Sequence, residues 1–298
     1  MILIITAANH RYTHRKLRSE QDINVQVVSY LELLHHQKPR LPATYVFTDF
    51  DRLASPALHQ AALFYRELRE EGITALNDPA RALGRFGLLR ALNRAGINQF
   101  DAYRADALET PQSWPVFLRL EGNHHSPVSE LIYTQEELDA AFESSLMEGV
   151  PRSGLVIVEY AAEPVRPGLF RKLSVFRVGD RLIGYTCVHD DQWLVKYGKT
   201  GVATPELYEE EYDCVASNPF GEMLRPVFEM AGVDYGRVDF GLVGGRPQIY
   251  EINTNPNIEL RPQPSPVQRR NESVELFRIK YLKAMQAIET PGTLASRN

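Results

Sequence analysis

Three oxygen-bearing side chains stand close together near the end of the sequence, among residues that are otherwise apolar. Asp239 lies in one short run, and Glu251 and Asn253 lie in the next. Gly244-Gly245 separates the two runs, and a glycine pair favours a tight turn, so the runs should pair as an antiparallel hairpin. Glu251 and Asn253 then share a face, because side chains alternate along a strand.

The length of the turn decides which residue faces Asp239. A two-residue loop sets Asp239 opposite Tyr250, whereas one extra loop residue beside Pro247 sets it opposite Glu251. Like charges directly opposed across a strand pair are destabilising, so the second register needs a cation between them. Two carboxylates and an amide oxygen suit Mg²⁺, and the lack of Cys and His in the set argues against zinc.

A hairpin whose polar face is simply hydrated is the alternative interpretation. The apolar residues around the three polar ones argue against it: Val238, Phe240, Ile249, Tyr250 and Ile252. The chain then leaves the strand abruptly at an Asn-Thr-Asn-Pro-Asn stretch, residues 253–257. The sequence therefore favours a metal site at the end of this hairpin.

Composition excludes several classes of protein. The chain has 298 residues and a formal net charge of −5, without the broad basic surface that nucleic-acid binding requires. Two cysteines, Cys187 and Cys214, are too few for a disulfide scaffold. The first residues carry only a short apolar run, which predicts a β-strand rather than a signal peptide, and no run approaches the roughly 20 apolar residues of a membrane helix. We expect a cytoplasmic protein with neither nucleic acid nor membrane as a partner.

The order of the predicted elements indicates an α+β fold. Apolar runs at 2–6, 25–34 and 44–48, a helix at 55–71 and an edge strand at 73–76 form a small α/β unit. Hairpin-paired strands with helices between them follow, with a polar, loop-like stretch at 189–213 and a helical cap pattern at Thr134. This order favours an α+β enzyme of several parts over a doubly wound sheet.

The stretch Asp239-Phe240 … Tyr250-Glu251-Ile252-Asn253-Thr254-Asn255-Pro256 resembles the metal-binding signature of the ATP-grasp superfamily. Members of that superfamily hold ATP between two α+β lobes, and most are carboxylate–amine or carboxylate–thiol ligases. The resemblance covers about residues 77–262. It implies ATP and two Mg²⁺ ions, with Mn²⁺ as a substitute, held by Asp239, Glu251 and Asn253, with Glu251 bridging the two ions.

The same resemblance implies a domain plan. Residues 1–76 correspond to the α/β domain that precedes the nucleotide lobes in such ligases. Residues 77–290 form the ATP-grasp domain, with a small lobe at about 112–160 and a large lobe at about 161–290, and residues 291–298 form a flexible tail. A homodimer is the family-level expectation for the assembly.

The resemblance also implies an adenine site at the strand 155–160, which corresponds to the connection between the lobes. Backbone groups near Tyr160 and Ala161 would contact the edge of the adenine, with Glu159 beside them. Glu163 would accept hydrogen bonds from the ribose hydroxyls, because a carboxylate accepts two such donors.

The basic residues that would bind the phosphates differ from the usual family pattern. The family usually has two lysines where this chain has Arg85 and Arg119, which implies an altered phosphate geometry. Lys172 and Lys196 are implied to face the triphosphate or the substrate. The loop 121–126 corresponds to the mobile glycine-rich loop that covers the phosphates, although it contains only one glycine.

The predicted function is an ATP-dependent ligase that forms an acyl phosphate and then an amide or peptide bond. Arg119, Lys172 and Arg261 are the predicted catalytic residues, and Arg261 or the stretch Arg11–Arg15 would anchor the carboxylate of a small molecule or peptide. A small-molecule kinase and a nucleotide-binding protein with weakened catalysis remain alternatives. A glycosidase with Asp239 and Glu251 as its carboxylate pair is a remote one.

Overall fold

A four-stranded parallel sheet begins the fold in the computed structural model, which describes residues 1–35, 41–107, 109–122 and 126–290. The sheet has the order β2-β1-β3-β4. Its strands and helices follow one another as β1 (Ile2–Thr6), α1 (Arg15–Arg18), β2 (Val25–Ser29), α2 (Tyr30–His35), β3 (Thr44–Phe47), α3 (Ser55–Glu70) and β4 (Ala75–Leu76). The apolar run predicted at 25–34 is therefore a strand followed by a helix.

Alternation along β1 and β3 sends side chains into two different cores. Leu3 and Phe47 pack on one face with Ala61 of α3, and Ile4 and Val46 pack on the other. The second face shares its core with residues of the later strands and helices, including Phe176, Tyr235 and Phe277. The first sheet is thus joined to the rest of the chain by a common hydrophobic core.

A three-stranded antiparallel sheet follows, with the order β5-β7-β6. This part of the chain contains α4 (Arg85–Arg94), β5 (Ala102–Arg104), β6 (Val116–Leu120), α5 (Gln135–Met147) and β7 (Leu155–Glu159). The predicted cap is confirmed, because the Thr134 side chain accepts a hydrogen bond from the backbone N–H of Glu137 at 3.2 Å. The central strand of this sheet, β7, is the strand that the sequence assigned to the lobe connection.

The third sheet is the largest and carries the polar hairpin. It has the order β10-β8-β11-β12, and β9 pairs with β8. The strands and helices of this part of the chain are β8 (Phe170–Val178), β9 (Arg181–Gly184), β10 (Val188–Asp190), α6 (Pro205–Ser217), α7 (Gly221–Ala231), β11 (Tyr235–Val243), β12 (Arg246–Asn253) and α8 (Gln268–Ile288). The structure is α+β, as the sequence predicted.

The prediction of a loop at 189–213 is wrong for its second half, where α6 begins. Leu207, Glu211 and Val215 are buried at helical spacing, and Pro205 occupies the first turn, where a proline is tolerated. The many acidic residues around them hide this pattern in the sequence. None of the helices formed by the described residues combines the length and apolar composition that crossing a membrane requires.

Asn77 fixes the first sheet on the third at the predicted boundary between them. It has a positive φ of 62°, and its side chain is fully buried. The amide donates to the carbonyls of Phe47 and Tyr235 and accepts from the backbone N–H groups of Asp234 and Tyr235, at 2.7–2.8 Å. This junction lets residues of both sheets line one cavity. The predicted tail, 291–298, lies outside the described residues.

Candidate functional site

The hairpin of β11 and β12 places the two carboxylates directly opposite each other. Asp239 pairs with Glu251, and a bulge separates this pair from Phe240 and Ile249. The loop contains only Gly244 and Gly245, so the extra residue is Tyr250 in the strand and not a loop residue beside Pro247. Phe240 and Ile249 both enter the core, and the bulge leaves the Tyr250 hydroxyl to donate to the Ala161 carbonyl at 3.1 Å.

Asp239 is buried and surrounded by donors. Arg237 donates to it through Nε at 2.6 Å and through a terminal nitrogen at 2.9 Å, and Ser174 donates at 2.9 Å. Lys172 Nζ lies 3.3 Å from its second oxygen. Burial opposes ionisation, but the charges of Arg237 and Lys172 outweigh it, so the pKa of Asp239 lies below its ordinary value. Asp239 is therefore an anion at neutral pH.

Glu251 forms an ion pair with Arg85, which reaches it from the start of α4. The same guanidinium donates to the Glu121 carbonyl at 2.9 Å, at the end of β6. Asn253 turns its amide oxygen back onto the chain and accepts from the Asn255 backbone N–H at 2.9 Å. Each of the three predicted metal ligands thus has a partner within the protein.

The chemistry of this donor set fits Mg²⁺. Within the described parts of the chain, no cluster of three or more His, Cys, Asp or Glu side chains could hold a metal ion by itself. Asp239 and Glu251 supply two carboxylates, and Mg²⁺ usually takes one or two together with phosphate oxygens and water. The two carboxylates therefore suit an ion that arrives with a phosphate ligand.

An apolar cavity of about 120 Å³ lies on one side of the carboxylate pair. Its walls come from α4 and the loop that follows it, from the second sheet, from β12 and from the loop after β10: Leu89, Phe100, Phe117, Val158, Trp193 and Tyr250. Ala161 and Glu163 line the same cavity. An apolar space beside β7, lined by aromatic side chains, suits an aromatic heterocycle.

The predicted adenine residues take different roles in the structure. Glu159 lines the apolar cavity, but its buried carboxylate accepts four hydrogen bonds from the backbone and side chains of the second sheet and its loop: Asp101, Tyr103, Gln112 and Ser113. Glu159 is therefore committed to holding this sheet together. Ala161 brings backbone to the cavity, and the Tyr160 ring packs edge-on against Trp193 at 5.6 Å.

Glu163 reaches across to the tip of the hairpin. Its carboxylate accepts from the Gly244 backbone N–H at 2.7 Å. This contact holds the residue at the rim of the apolar cavity and ties the lobe connection to β11.

Three predicted phosphate cations surround the inner end of the apolar cavity: Arg119, Lys172 and Lys196. Burial and the nearby Arg85 lower the pKa of Arg119 to about 10, although Glu251 opposes the shift. Arg119 stays charged at neutral pH. Lys172 Nζ also donates to the Lys196 carbonyl at 3.3 Å, which joins β8 to the loop after β10.

A second, polar cavity of about 570 Å³ lies on the other side of the carboxylates. The first sheet contributes His10, Tyr12, Thr13, Asp49 and Arg52 to its walls. The third sheet and the loop after it contribute Tyr185, Tyr197, Arg237, Asn253, Asn255 and Glu259. Four charged residues line both cavities: Lys172, Lys196, Asp239 and Glu251.

His10 and Asp49 form a pair in the polar cavity that the sequence analysis missed. His10 Nδ1 lies 2.8 Å from the Asp49 carboxylate, and Arg52 Nε lies 2.8 Å from its other oxygen. Asp49 has a positive φ of 59°, and its backbone N–H donates to Thr254 at 3.1 Å. One signal was present, because Asp49 follows β3, and ligands of parallel sheets bind beyond the carboxyl ends of the strands.

Arg237 was also missed, although it lies two residues before Asp239 on the same strand and therefore on the same face. It lines the polar cavity while holding Asp239. An arginine in this position can neutralise the buried aspartate and face a substrate at once.

Arg261 lies elsewhere. Its guanidinium forms two hydrogen bonds with Glu20, at 2.8 and 3.0 Å, and 68% of its side chain is exposed. Arg261 is not among the described residues that line the two cavities, so the predicted substrate anchor lies away from both of them. Arg11 of the predicted anchor stretch pairs with Glu32 at 3.0 Å.

The loop predicted to cover the phosphates is described only in part, since residues 123–125 lie outside the described residues. Ser126, at its end, lines the apolar cavity.

Comparison with known proteins identifies the fold. No protein-family model matches the sequence, and no curated protein matches it. The structure is similar to D-alanine–D-alanine ligase from Bacillus anthracis, with a TM-score of 0.53, 12% identity and 97% coverage of both chains. The structure of that enzyme in complex with ATP gives a TM-score of 0.52 at the same identity and coverage.

The VanG D-Ala:D-Ser ligase from Enterococcus faecalis gives a TM-score of 0.51 at 12% identity, over 96% of this chain and 98% of the other. These similarities extend over nearly the whole chain and include both sides of the carboxylate hairpin. The protein has the ATP-grasp fold that the stretch from Asp239 to Pro256 predicted.

Proposed function

We propose that this protein is an ATP-dependent ligase that joins a carboxylate to an amine through an acyl phosphate. One observation carries the proposal: an apolar cavity and a polar cavity meet at Asp239 and Glu251, with Lys172 and Lys196 beside them. A nucleotide on one side and an acceptor on the other would bring the terminal phosphate to this junction.

The apolar cavity would hold ATP. Its aromatic and aliphatic walls suit the adenine, and backbone of Ala161 lies at its edge. Glu163 would accept from the ribose, while Arg119, Lys172 and Lys196 would contact the phosphates. The similarity in fold to a ligase whose structure was solved with ATP supports this orientation.

Asp239, Glu251 and Asn253 would hold Mg²⁺, which supplies charge neutralisation at the transferred phosphoryl group. Arg119 and Lys172 would stabilise the remaining negative charge and orient the γ-phosphate. A substrate carboxylate in the polar cavity would then attack the γ-phosphorus, releasing ADP and forming an acyl phosphate. Positioning and charge carry such a reaction, so no protein nucleophile is needed.

An amine would complete the reaction from the polar cavity by displacing phosphate from the acyl carbon. His10 is oriented by Asp49 through Nδ1, which leaves Nε2 to receive the proton that the amine loses. Arg52 and Arg237 line the same cavity and suit a carboxylate on a small molecule or peptide. With Arg261 on the surface, these two arginines replace it as the proposed anchors.

Product analysis tests the proposal. The protein is incubated with Mg-ATP and pools of amino acids and dipeptides, and ADP, phosphate and organic products are measured by mass spectrometry. A new amide formed together with ADP and phosphate supports ligation. A stable phosphorylated product would instead support the kinase, and tight ATP binding with no ADP release would support weakened catalysis.

Matched variants make the assay specific. Glu251→Gln should abolish ADP release, and the exposed Glu143→Gln on α5 should leave it unchanged. ADP release that persists in Glu251→Gln would contradict the proposed site.

A further inference from the structure

Arg85 connects the chain just after β6 to the carboxylate of Glu251 on β12. It begins α4, donates to the Glu121 carbonyl at 2.9 Å beyond β6, and forms an ion pair with Glu251 on β12. Only 5% of the Arg85 side chain is exposed, against 22% for Glu251. A buried guanidinium therefore supplies the positive charge that the Glu251 carboxylate needs.

The counter-charges of the two carboxylates differ in origin. Asp239 is neutralised by Arg237 and Lys172, which belong to β11 and β8 of its own sheet. Glu251 forms its ion pair with Arg85, which comes from a helix outside that sheet, and it also interacts electrostatically with Arg119 of β6. A helix residue on a long side chain can move away without disturbing the pairing of β11 and β12, whereas Arg237 is fixed by the strand that carries Asp239.

We propose that Arg85 is an exchangeable counter-ion, which keeps divalent metal off Glu251 until the nucleotide arrives. The inference rests on the proposed function, because it assigns Glu251 to the metal. A guanidinium binds carboxylate and phosphate oxygens with the same planar geometry, so Arg85 can exchange Glu251 for a phosphate. Glu251 would then be available to a metal only after Arg85 has moved to a phosphate of the nucleotide.

Metal binding measured without turnover tests the exchange. The protein is titrated with Mn²⁺ in the absence of nucleotide, and free Mn²⁺ is followed by electron paramagnetic resonance. We expect weak binding to the unaltered protein and at least tenfold tighter binding to Arg85→Gln. Arg81→Gln is the matched control, because Arg81 lies just before α4 with 83% of its side chain exposed, and it should behave as the unaltered protein does.

A second variant shows which residue binds the Mn²⁺ in Arg85→Gln. Adding Glu251→Gln to Arg85→Gln should remove the gained affinity, because the carboxylate that Arg85 released is then lost. Arg85→Lys keeps the charge but not the planar guanidinium, and should bind Mn²⁺ at least threefold more tightly than the unaltered protein. If Arg85→Gln does not fold, Arg85→Lys replaces it in the experiment.

A parallel titration uses Mn²⁺ with a non-hydrolysable ATP analogue. The unaltered protein should now bind Mn²⁺ at least tenfold more tightly than without the analogue, and Arg85→Gln should bind the analogue at least tenfold more weakly. Equal Mn²⁺ affinity in all arginine variants, with analogue-dependent binding intact, would overturn the exchange and leave the proposed function standing. Failure of the unaltered protein to bind the analogue with Mn²⁺ would overturn the proposed function itself.

Discussion

The apolar and polar cavities share one wall but are built in different ways. The apolar cavity is lined by residues that also form a hydrophobic core, including Leu89, Phe100 and Val158. The polar cavity is lined by residues from two parts of the fold, and two ion-pair groups, one around Asp49 and one around Asp239, hold part of its wall. The hydrophobic core therefore shapes the apolar cavity, and the pairing of distant polar residues shapes the polar cavity.

The largest expected effect comes from the wall that the two cavities share. Asp239→Asn should lower ADP release by roughly 10²-fold or more, because a group that neutralises developing charge is lost. It should also lower the free energy of unfolding by about 3 kcal/mol, because the charge of buried Arg237 is left unpaired. ADP release and urea unfolding measure the two effects. Full activity in a folded variant would show that the cavities do not meet at a metal.

Acid should destabilise the protein through the segment that carries residues into the polar cavity. Burial lowers the pKa of His14 from 6.5 to about 4, with smaller opposing effects of Asn255 and Asp49. His14 ends the short 3₁₀ helix Ala8–His14, which carries His10, Tyr12 and Thr13 into the polar cavity. The stabilising contribution of neutral His14 is complete above pH 6.5 and is lost as the pH falls towards 4, and it amounts to about 3 kcal/mol.

Urea unfolding at several pH values measures this loss. His14→Gln should flatten the pH dependence between 6.5 and 4, and exposed His59→Gln should not. Burial also lowers the pKa of His189 to about 4, so part of the acid sensitivity should remain in His14→Gln. An unchanged slope would mean that His14 is not buried as a neutral group.

Trp193 tests the apolar cavity alone. It packs against Phe117 at 5.1 Å between ring centres and lines the cavity. Trp193→Ala should weaken nucleotide binding roughly tenfold, because contact between a base and an aromatic ring is lost. Calorimetric titration with a non-hydrolysable ATP analogue gives the affinity. Unchanged affinity would place the base outside the apolar cavity.

Tyr12 provides the reciprocal test with the smallest effect. It lines the polar cavity, although 64% of it is exposed, so its contact with an acceptor is partial. Tyr12→Ala should raise the apparent KM for the acceptor by roughly threefold, about 0.7 kcal/mol, and leave nucleotide affinity unchanged. A loss of nucleotide affinity in this variant would remove the distinction between the two cavities.

The parts of the site that the sequence predicted are those within one local pattern. The hairpin and the cap at Thr134 depend on neighbours in the chain, whose geometry alternation and turn chemistry fix. The facing of Asp239 and Glu251 was one of two registers left open, and the structure reaches it through a bulge instead of a longer loop. The bulge at Tyr250 could not be placed, because it depends on which side chains of the hairpin enter the core.

Residues paired across long stretches of sequence were beyond prediction. Arg261 was expected at the substrate, but its partner Glu20 follows α1 near the start of the chain and is brought to it only by folding. The pair of His10 and Asp49 exists because parallel strands end at the same edge of a sheet. Such pairings depend on tertiary geometry rather than on local periodicity.

The most direct test of the account is a crystal structure with Mn²⁺ and a non-hydrolysable ATP analogue. We expect anomalous density for Mn²⁺ between Asp239 and Glu251, the base in the apolar cavity, and Arg85 on a phosphate instead of on Glu251. A nucleotide bound elsewhere, with Glu251 still paired to Arg85 and no metal between the carboxylates, would contradict it.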